Sequence, residues 1–545
     1  MNSLVLLLIG IVLFIAAYAV YGGYLAKQWG IDPNRKTPAH TLRDDIDYCP
    51  ANAKVLLGHH FSSIAGAGPI TGPIAAAIFG WLPVYLWIVI GSIFVGGVHD
   101  WGALFASVRH EGKSIGEIIR VNIGETGKKL FNFFAYLTLI LVVAAFTDIC
   151  AGTFAFDAAK PELITGARAG TASVLFIFLA MGFGFFVYRK GASLSVSTVV
   201  GVALLFFCIW IGYQFPVIKL SKFGWDILLI IYIFAASTLP VWLLLQPRDY
   251  LCSFLLYAML AGAVIGVLLV RPAMVIPASL GFTVGEGAKA QYLFPMLFVT
   301  VACGAISGFH SLVSSGTTSK QVENEKDTKL IGYGAMLIEG VVAIIALIAV
   351  GSMAGAKGTP AQIFANGVAG FMSSFGLPIP VGTVFVILAF SAFALTSLDT
   401  ATRIGRYMFQ EMTTKVDGTK TPLTNMYVAT AITVGLSALL LSYGYQKIWP
   451  IFGSANQLLA GLSLLAVSAW LAKSGKKNLM TVIPMIFMFT VTLTALVLVA
   501  KSNFAGGSII IGTLASVLFI LAIILIITTI QTFFGDKSKN QNVKS

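Results

Sequence analysis

The chain has 545 residues, 57% of them hydrophobic and only 10% charged, with a mean hydropathy of +0.89. Soluble domains carry about 25% charged residues, so the composition excludes an ordinary soluble protein and fits an all-α polytopic membrane protein. The formal net charge of +13 is spread over many loops with no basic stripe interleaved with aromatics, which excludes nucleic acid as a partner and points to the lipid bilayer and its anionic headgroups.

Runs close to the ~20 apolar residues that a helix needs to cross hydrocarbon fall at 3–25, 59–80, 82–107, 130–156, 171–188, 193–213, 226–245, 251–271, 290–315, 330–354, 379–402, 423–443, 450–472, 479–500 and 508–532, about 15 spans. The first has no basic stretch before it and no small-residue cleavage site, so it reads as a retained span. With the N-terminus outside, the inner segments collect most of the 35 Lys and Arg residues, which makes the C-terminus cytoplasmic. Within the inner loop 108–129, Ile115, Ile118 and Ile119 share one face and predict a short helix lying on the membrane surface. Five cysteines without a CxxC pair read as small core residues. The absence of HExxH and Walker A motifs speaks against metallopeptidase chemistry and ATP-driven transport; the chain is not expected to be an enzyme or to carry a resident cofactor or metal.

Residues 58–73, GHHFSSIAGAGPITGP, open the second run. Proline lacks an amide donor and breaks the helix, and the freed carbonyls find no partner in lipid. His59, His60, Ser62, Ser63, Gly66, Gly68, Pro69 and Thr71 are therefore expected to line a cavity at an unwound crossing. The alternative is a tightly packed small-residue helix interface. Residues 235–250, AASTLPVWLLLQPRDY, suggest a second interruption at Pro240, with Thr238 and Trp242 walling the pocket. Gln246, Arg248 and Asp249 then mark an inner gate. Counted from 59–80, the 226–245 run is the sixth span and runs the other way. Two interrupted helices in matching positions predict an inverted repeat, with residues 59–213 and 226–402 as five-helix halves. Residues 1–58 then form an N-terminal span and cytoplasmic loop, and 403–545 hold accessory spans and a polar tail.

The stretch GAISGFHSLVSSGTTSKQ (304–321) puts Ser311, Ser314, Ser315 and Thr318 at helical spacing. They suit either an oxygen cage for Na⁺ or a proton-carrying water, or hydroxyls bonding back to their own helix. Ionisable groups in spans are functional suspects by default. His59, His60 and His310 suit proton coupling or the holding of a carboxylate substrate, Glu339 fits a proton carrier, and Asp148 fits a gate or ion site. Asp399 and Arg403, four apart, fit a local pair. His99 and Asp100 sit at an inner span end, where ordinary solvation accounts for them.

The segments GHHFSSIAGAGPITGPIAAAIFGWLP, STLPVWLLLQPRDYL, SGFHSLVSSGTTSKQ and AFALTSLDTATRIGRY, spread over residues 58–410, resemble the carbon starvation protein (CstA) family of bacterial inner-membrane transporters. The resemblance implies the amino acid–polyamine–organocation superfamily with its LeuT-like 5+5 inverted repeat, and uptake of pyruvate or short peptides. A carboxylate substrate would suit the free amides of a half-helix starting near Pro73. The function expected is secondary transport by alternating access, coupled to H⁺ or Na⁺. The alternatives are an intramembrane metal site built from His59, His60 and His99 with Asp100, and a passive channel. Adjacent histidines on a helix project about 100° apart, which disfavours the metal site.

Overall fold

The computed structural model describes residues 2–541 except 45–46, 160–163, 241, 286–289 and 415–420, with side chains given for all of these but Tyr188, Tyr445 and 532–541. The last four residues of the expected tail lie outside the described residues. Among the described residues, twelve helices are long and apolar enough to cross a membrane, and a further bent pair passes the same test as one span.

The chain opens with α1 (Ser3–Trp29), whose first turn is capped by the Asn2 side chain accepting from the Leu4 amide. The bent pair follows: α2 (Ala53–Ile64) and α3 (Gly68–Phe79) meet at 46°. Next come α4 (Trp81–Arg109), a short α5 (Ile115–Asn122), α6 (Glu125–Phe154), α7 (Thr165–Val187) and α8 (Leu194–Gln214). In α5, Ser114 accepts from the Glu117 amide as N-cap, and Ile115, Ile118 and Ile119 are buried on one face. That face packs on α6 and on a later helix, so this segment is clamped to the bundle as well as amphipathic.

The middle of the chain holds α9 (Lys222–Thr238) and α10 (Leu245–Val270). The expected interruption at Pro240 is corrected here: Pro240 sits in the turn between these two helices rather than in mid-span. Leu239 is extended, with ψ 151°, as the residue before a proline prefers, and α9 therefore stops before it. The second interrupted crossing lies further on. It is α11 (Leu293–Val301) and α12 (Gly308–Gly316), joined through a short tight turn and a non-helical stretch ending at Ser307.

The rest is α13 (Lys329–Gly351), the short α14 (Pro360–Met372), α15 (Ile379–Thr413), α16 (Met426–Leu441), α17 (Tyr445–Lys473), α18 (Leu479–Ala505) and α19 (Ile509–Gln541). A capping box between Thr359 and Gln362 starts α14. The runs expected at 226–245 and 423–443 form helices of 17 and 16 residues, shorter than a ~20-residue crossing.

The packing has an internal symmetry. The two longest inner helices, α6 and α15, lie against each other; α9 packs on both, and so does α16. α10 touches α2, α14 and α15, while α17 touches α11, α5 and α6. α3 packs on α13, as α12 packs on α4. Each contact has its counterpart when the first interrupted helix is exchanged for the second.

Candidate functional site

The two interruptions face one another: α3 packs directly against α11 and the turn that follows it. Close approach demands glycine here. A Cβ at Gly72 would collide with the carbonyl oxygen of Val301, one at Gly68 with the Cys303 thiol, and one at Gly66 with the Ser397 hydroxyl. Of the expected lining residues, Gly66, Gly68 and Pro69 thus serve the helix interface. Ser62 and Ser63 donate to the carbonyls of Gly58 and His59 on their own helix. Thr71 is different: it is buried and its hydroxyl has no partner.

Both breaks are braced from outside. Ser397 on α15 donates to the Ser63 carbonyl at 3.2 Å. Asn456 on α17 takes the Phe309 amide at the start of α12 at 2.9 Å and donates to the Ser307 hydroxyl at 2.9 Å. Its neighbour Gln457 donates to the Phe298 carbonyl at 2.6 Å, and Ser92 on α4 donates to the Gly304 carbonyl. Sequence reasoning missed Asn456 and Gln457. The signal was there: two adjacent amides inside an otherwise apolar run.

Below the second break lies a buried chain of titratable groups. Asp100 on α4 takes His310 Nδ1 at 2.7 Å on one oxygen and His99 Nδ1 at 2.6 Å on the other. The second nitrogen of His310 is 3.5 Å from the Glu339 carboxylate on α13. All four side chains are fully buried. The expectation that solvation explains Asp100 is therefore corrected: α4 carries it into the packed core beside α12. His60 on α2 joins from the side, with Nδ1 2.9 Å from the Thr318 hydroxyl and Nε2 without a partner.

The expected oxygen cage is not assembled from all four hydroxyls. Ser311 donates to the Gly308 carbonyl and lies 2.7 Å from the Ser463 hydroxyl on α17, and Ser315 donates to the Ser311 carbonyl. These two are spent on the helix itself, Thr318 on His60, and Ser314 alone is buried without a partner.

A second charged cluster ties α9, α10 and α15 together. Arg248 meets Asp399 at 2.6 Å and Thr396 at 3.0 Å, and also donates to the Tyr232 hydroxyl, which in turn donates to Asp399 at 2.8 Å. Arg403 does not pair with Asp399. It donates instead to the carbonyls of Ala236 and Leu239, and Arg406 to that of Ser237, so two cations close the carbonyl end of α9. Asp249, buried, has His59 Nδ1 at 3.9 Å. Gln246 is half-buried beside it.

Thr238 bonds back to the Phe234 and Ala235 carbonyls. Trp242 is half-buried with the Arg189 guanidinium 4.7 Å from its ring. The three histidines of the metal alternative diverge, His59 to Asp249, His60 to Thr318 and His99 to Asp100. No group of three or more His, Cys, Asp or Glu among the described residues could hold a metal ion.

A cavity of about 280 Å³ lies where α6 finishes and α9 and α14 begin, lined by Thr71, Asp148, Lys222, Thr359, Pro360 and Phe390 among others. Asp148 meets Lys222 at 2.6 Å on its wall. The Arg248 cluster lies toward the other end of the bundle, where α9 finishes and α10 begins.

The profile of the family described as carbon starvation protein CstA matches residues 2–359 and 352–495. The chain belongs to that family. Among curated CstA-type relatives, the peptide transporter CstA of Escherichia coli K12 is 32% identical, over 91% of this chain and 80% of its own. The peptide transporter CstA of Bacillus subtilis is 31% identical, over 97% of each chain, and the pyruvate/proton symporter BtsT of E. coli K12 is 32% identical, over 91% and 81%. Among solved structures, the Eremococcus coleocola manganese transporter aligns at TM-score 0.51 with 13% identity, covering 90% of this chain and 99% of that one. MhsT in complex with L-phenylalanine aligns at 0.50 with 14% identity, covering 83% and 99%. These likenesses establish the LeuT-like fold for this CstA-family chain.

Proposed function

We propose that this CstA-family protein is a secondary active transporter that imports pyruvate or short peptides by alternating access about its two interrupted helices, and is not an enzyme. The observation that carries the reading is the α3–α11 contact, where two broken crossings meet with a cavity toward one end of the bundle and a buried charge cluster across the other. Such paired breaks are where transporters of inverted-repeat architecture hold their solutes. The substrate class follows from the relatives, named as peptide transporters and a pyruvate/proton symporter.

The mirrored contacts support Ala53–Val270 and Leu293–Lys473 as the two halves, with α7–α8 inserted in the first and α18–α19 added after the second. This replaces the division at residue 226, because the second broken helix is α11–α12. In the orientation set by the basic inner loops, the N-terminus is outside, the C-terminus is cytoplasmic, and the membrane is the bacterial inner membrane. The Thr71 cavity then lies toward the outside, and Asp148, Gln246, Arg248, Asp249, Asp399 and Arg403 divide between outer and inner gates.

Purified protein in proteoliposomes, given labelled pyruvate or dialanine under imposed H⁺ or Na⁺ gradients, tests the reading. Saturable, gradient-dependent accumulation of either solute is expected. Non-saturable flux indifferent to gradients would instead make the protein a channel.

A further inference from the structure

We propose that Glu339, His310 and Asp100 form the proton-carrying site of this transporter, with the Glu339 carboxylate taking up one proton from outside and releasing it inside in each cycle. The inference rests on the transport reading above and names its coupling ion.

The argument begins with charge. Asp100 and Glu339 are fully buried, and among the described residues each carboxylate has only histidine as an ion-pair partner. Asp100 has an imidazole on each oxygen. With one protonated imidazole in the chain, that of His310, one carboxylate is balanced, and a second bare negative charge in the membrane interior would be uncompensated, a cost of several kcal/mol. In the arrangement seen, the chain is neutral when Glu339 carries its own proton.

Hydrogen bonding agrees. Both Glu339 oxygens and His310 Nε2 are buried without a hydrogen-bond partner, although they face each other at 3.5 Å. That distance is too long for a charge-assisted hydrogen bond, which runs at about 2.7–2.9 Å. An ionised Glu339 would draw the imidazole in; a neutral one has no need to. A hard metal cation fits poorly, because such ions take about six or more oxygen ligands and Asp100 has already committed both of its own.

The position then links the proton to movement. His310 sits in the first turn of α12, the second half of the interrupted helix, while Asp100 is on α4 and Glu339 on α13. Ionising Glu339 shifts α12 toward α13; protonating it lets α12 return. Two further titratable groups face the chain among the described residues: the buried Cys303 thiol, in the turn before α12 and against His310, and His60 on α2, held to Thr318 just beyond α12, so the first interrupted helix feels the same change. α17 contributes uncharged groups nearby, the Asn456 side chain on the Phe309 amide and the Cys303 thiol, and the Ser463 hydroxyl on Ser311. This is a two-state element biased by one protonation.

The test compares wild type with Glu339→Gln in proteoliposomes, using labelled pyruvate and, in parallel, labelled dialanine. Three readouts are taken: accumulation driven by an inward proton gradient, counterflow with no gradient, and the substrate-evoked pH change in weak buffer. The expected result is that wild type shows all three. Glu339→Gln should keep counterflow, lose the pH signal and lose gradient-driven accumulation by about tenfold or more. Proton-driven accumulation and a pH signal persisting in Glu339→Gln would overturn the proposal, as would wild-type accumulation driven by Na⁺ alone. If Glu339→Gln also loses counterflow, Glu339→Asp decides: recovery of proton-driven uptake supports the site, and no recovery overturns it. Wild type without saturable uptake or counterflow of either solute would instead remove the transport reading itself.

Discussion

Arg248 on α10 and Asp399 on α15 meet at 2.6 Å with essentially no solvent access to either side chain. The pair is completed by Tyr232 and Thr396, so every strong partner of the guanidinium comes from α9 or α15. Removing one member leaves the other charge buried and unmatched, which costs about 3–5 kcal/mol. Arg248→Gln and Asp399→Asn should each lower the melting temperature in detergent sharply. The double variant should recover much of the loss, because its two amides can bond to each other. Additive losses in the double variant would show that the pair does not act as a unit.

Gly72 faces the Val301 carbonyl with no room for a methyl group, and the obstacle is main chain rather than a flexible side chain. Gly72→Ala should therefore push α3 off α11, destabilise the fold by about 1–3 kcal/mol and lower uptake. Gly182→Ala on α7, where no heavy atom lies within 4 Å, should leave both at wild-type level. Thermal stability and initial uptake rate on matched protein amounts check the pair.

Asn456 satisfies the Phe309 amide at the start of α12. Asn456→Ala strands that amide in the core, at a cost of about 1–3 kcal/mol, and loosens the turn before it. Uptake should fall more than folded yield does, whereas Asn456→Asp, which retains an acceptor oxygen, should keep more of the stability.

Among the residues first singled out, His60 and Ser315 should behave differently. His60 carries an unpartnered nitrogen and bridges α2 to Thr318, so His60→Ala should reduce uptake strongly. The Ser315 hydroxyl is occupied by the Ser311 carbonyl within one helix, so Ser315→Ala should change uptake by no more than about twofold. Equal losses in both would return Ser315 to the ion path.

The segment 58–73 was legible because glycine and proline act locally: their cluster weakens the helix, which breaks at 65–67, with Pro69 in the first turn of α3 and Pro73 carried inside it. Pro240 misled for the same local reason. It does stop a helix, but at the end of a 17-residue one, and sequence alone does not reveal which stop lies in mid-membrane. The true second break, ACGAIS at 302–307, contains no proline at all and is defined by what packs on it, namely Ser92, Asn456 and the glycines of α3. Asp100 and Asp399 were misplaced because their partners, His310 and Arg248, are far away in the chain. Four-residue spacing made Arg403 the obvious mate of Asp399, but α9 presents bare carbonyls that a guanidinium satisfies better.

Alternating access is the central claim, and side-specific thiol labelling tests it most directly. In a background lacking the five native cysteines, Thr71→Cys in the cavity and His59→Cys beside Asp249 report on opposite ends of the same path. With substrate and a driving gradient present, a membrane-impermeant reagent should label Thr71→Cys less from the outside and His59→Cys more from the inside. Reactivity at the two positions that rises together, or does not respond to substrate, would contradict the account.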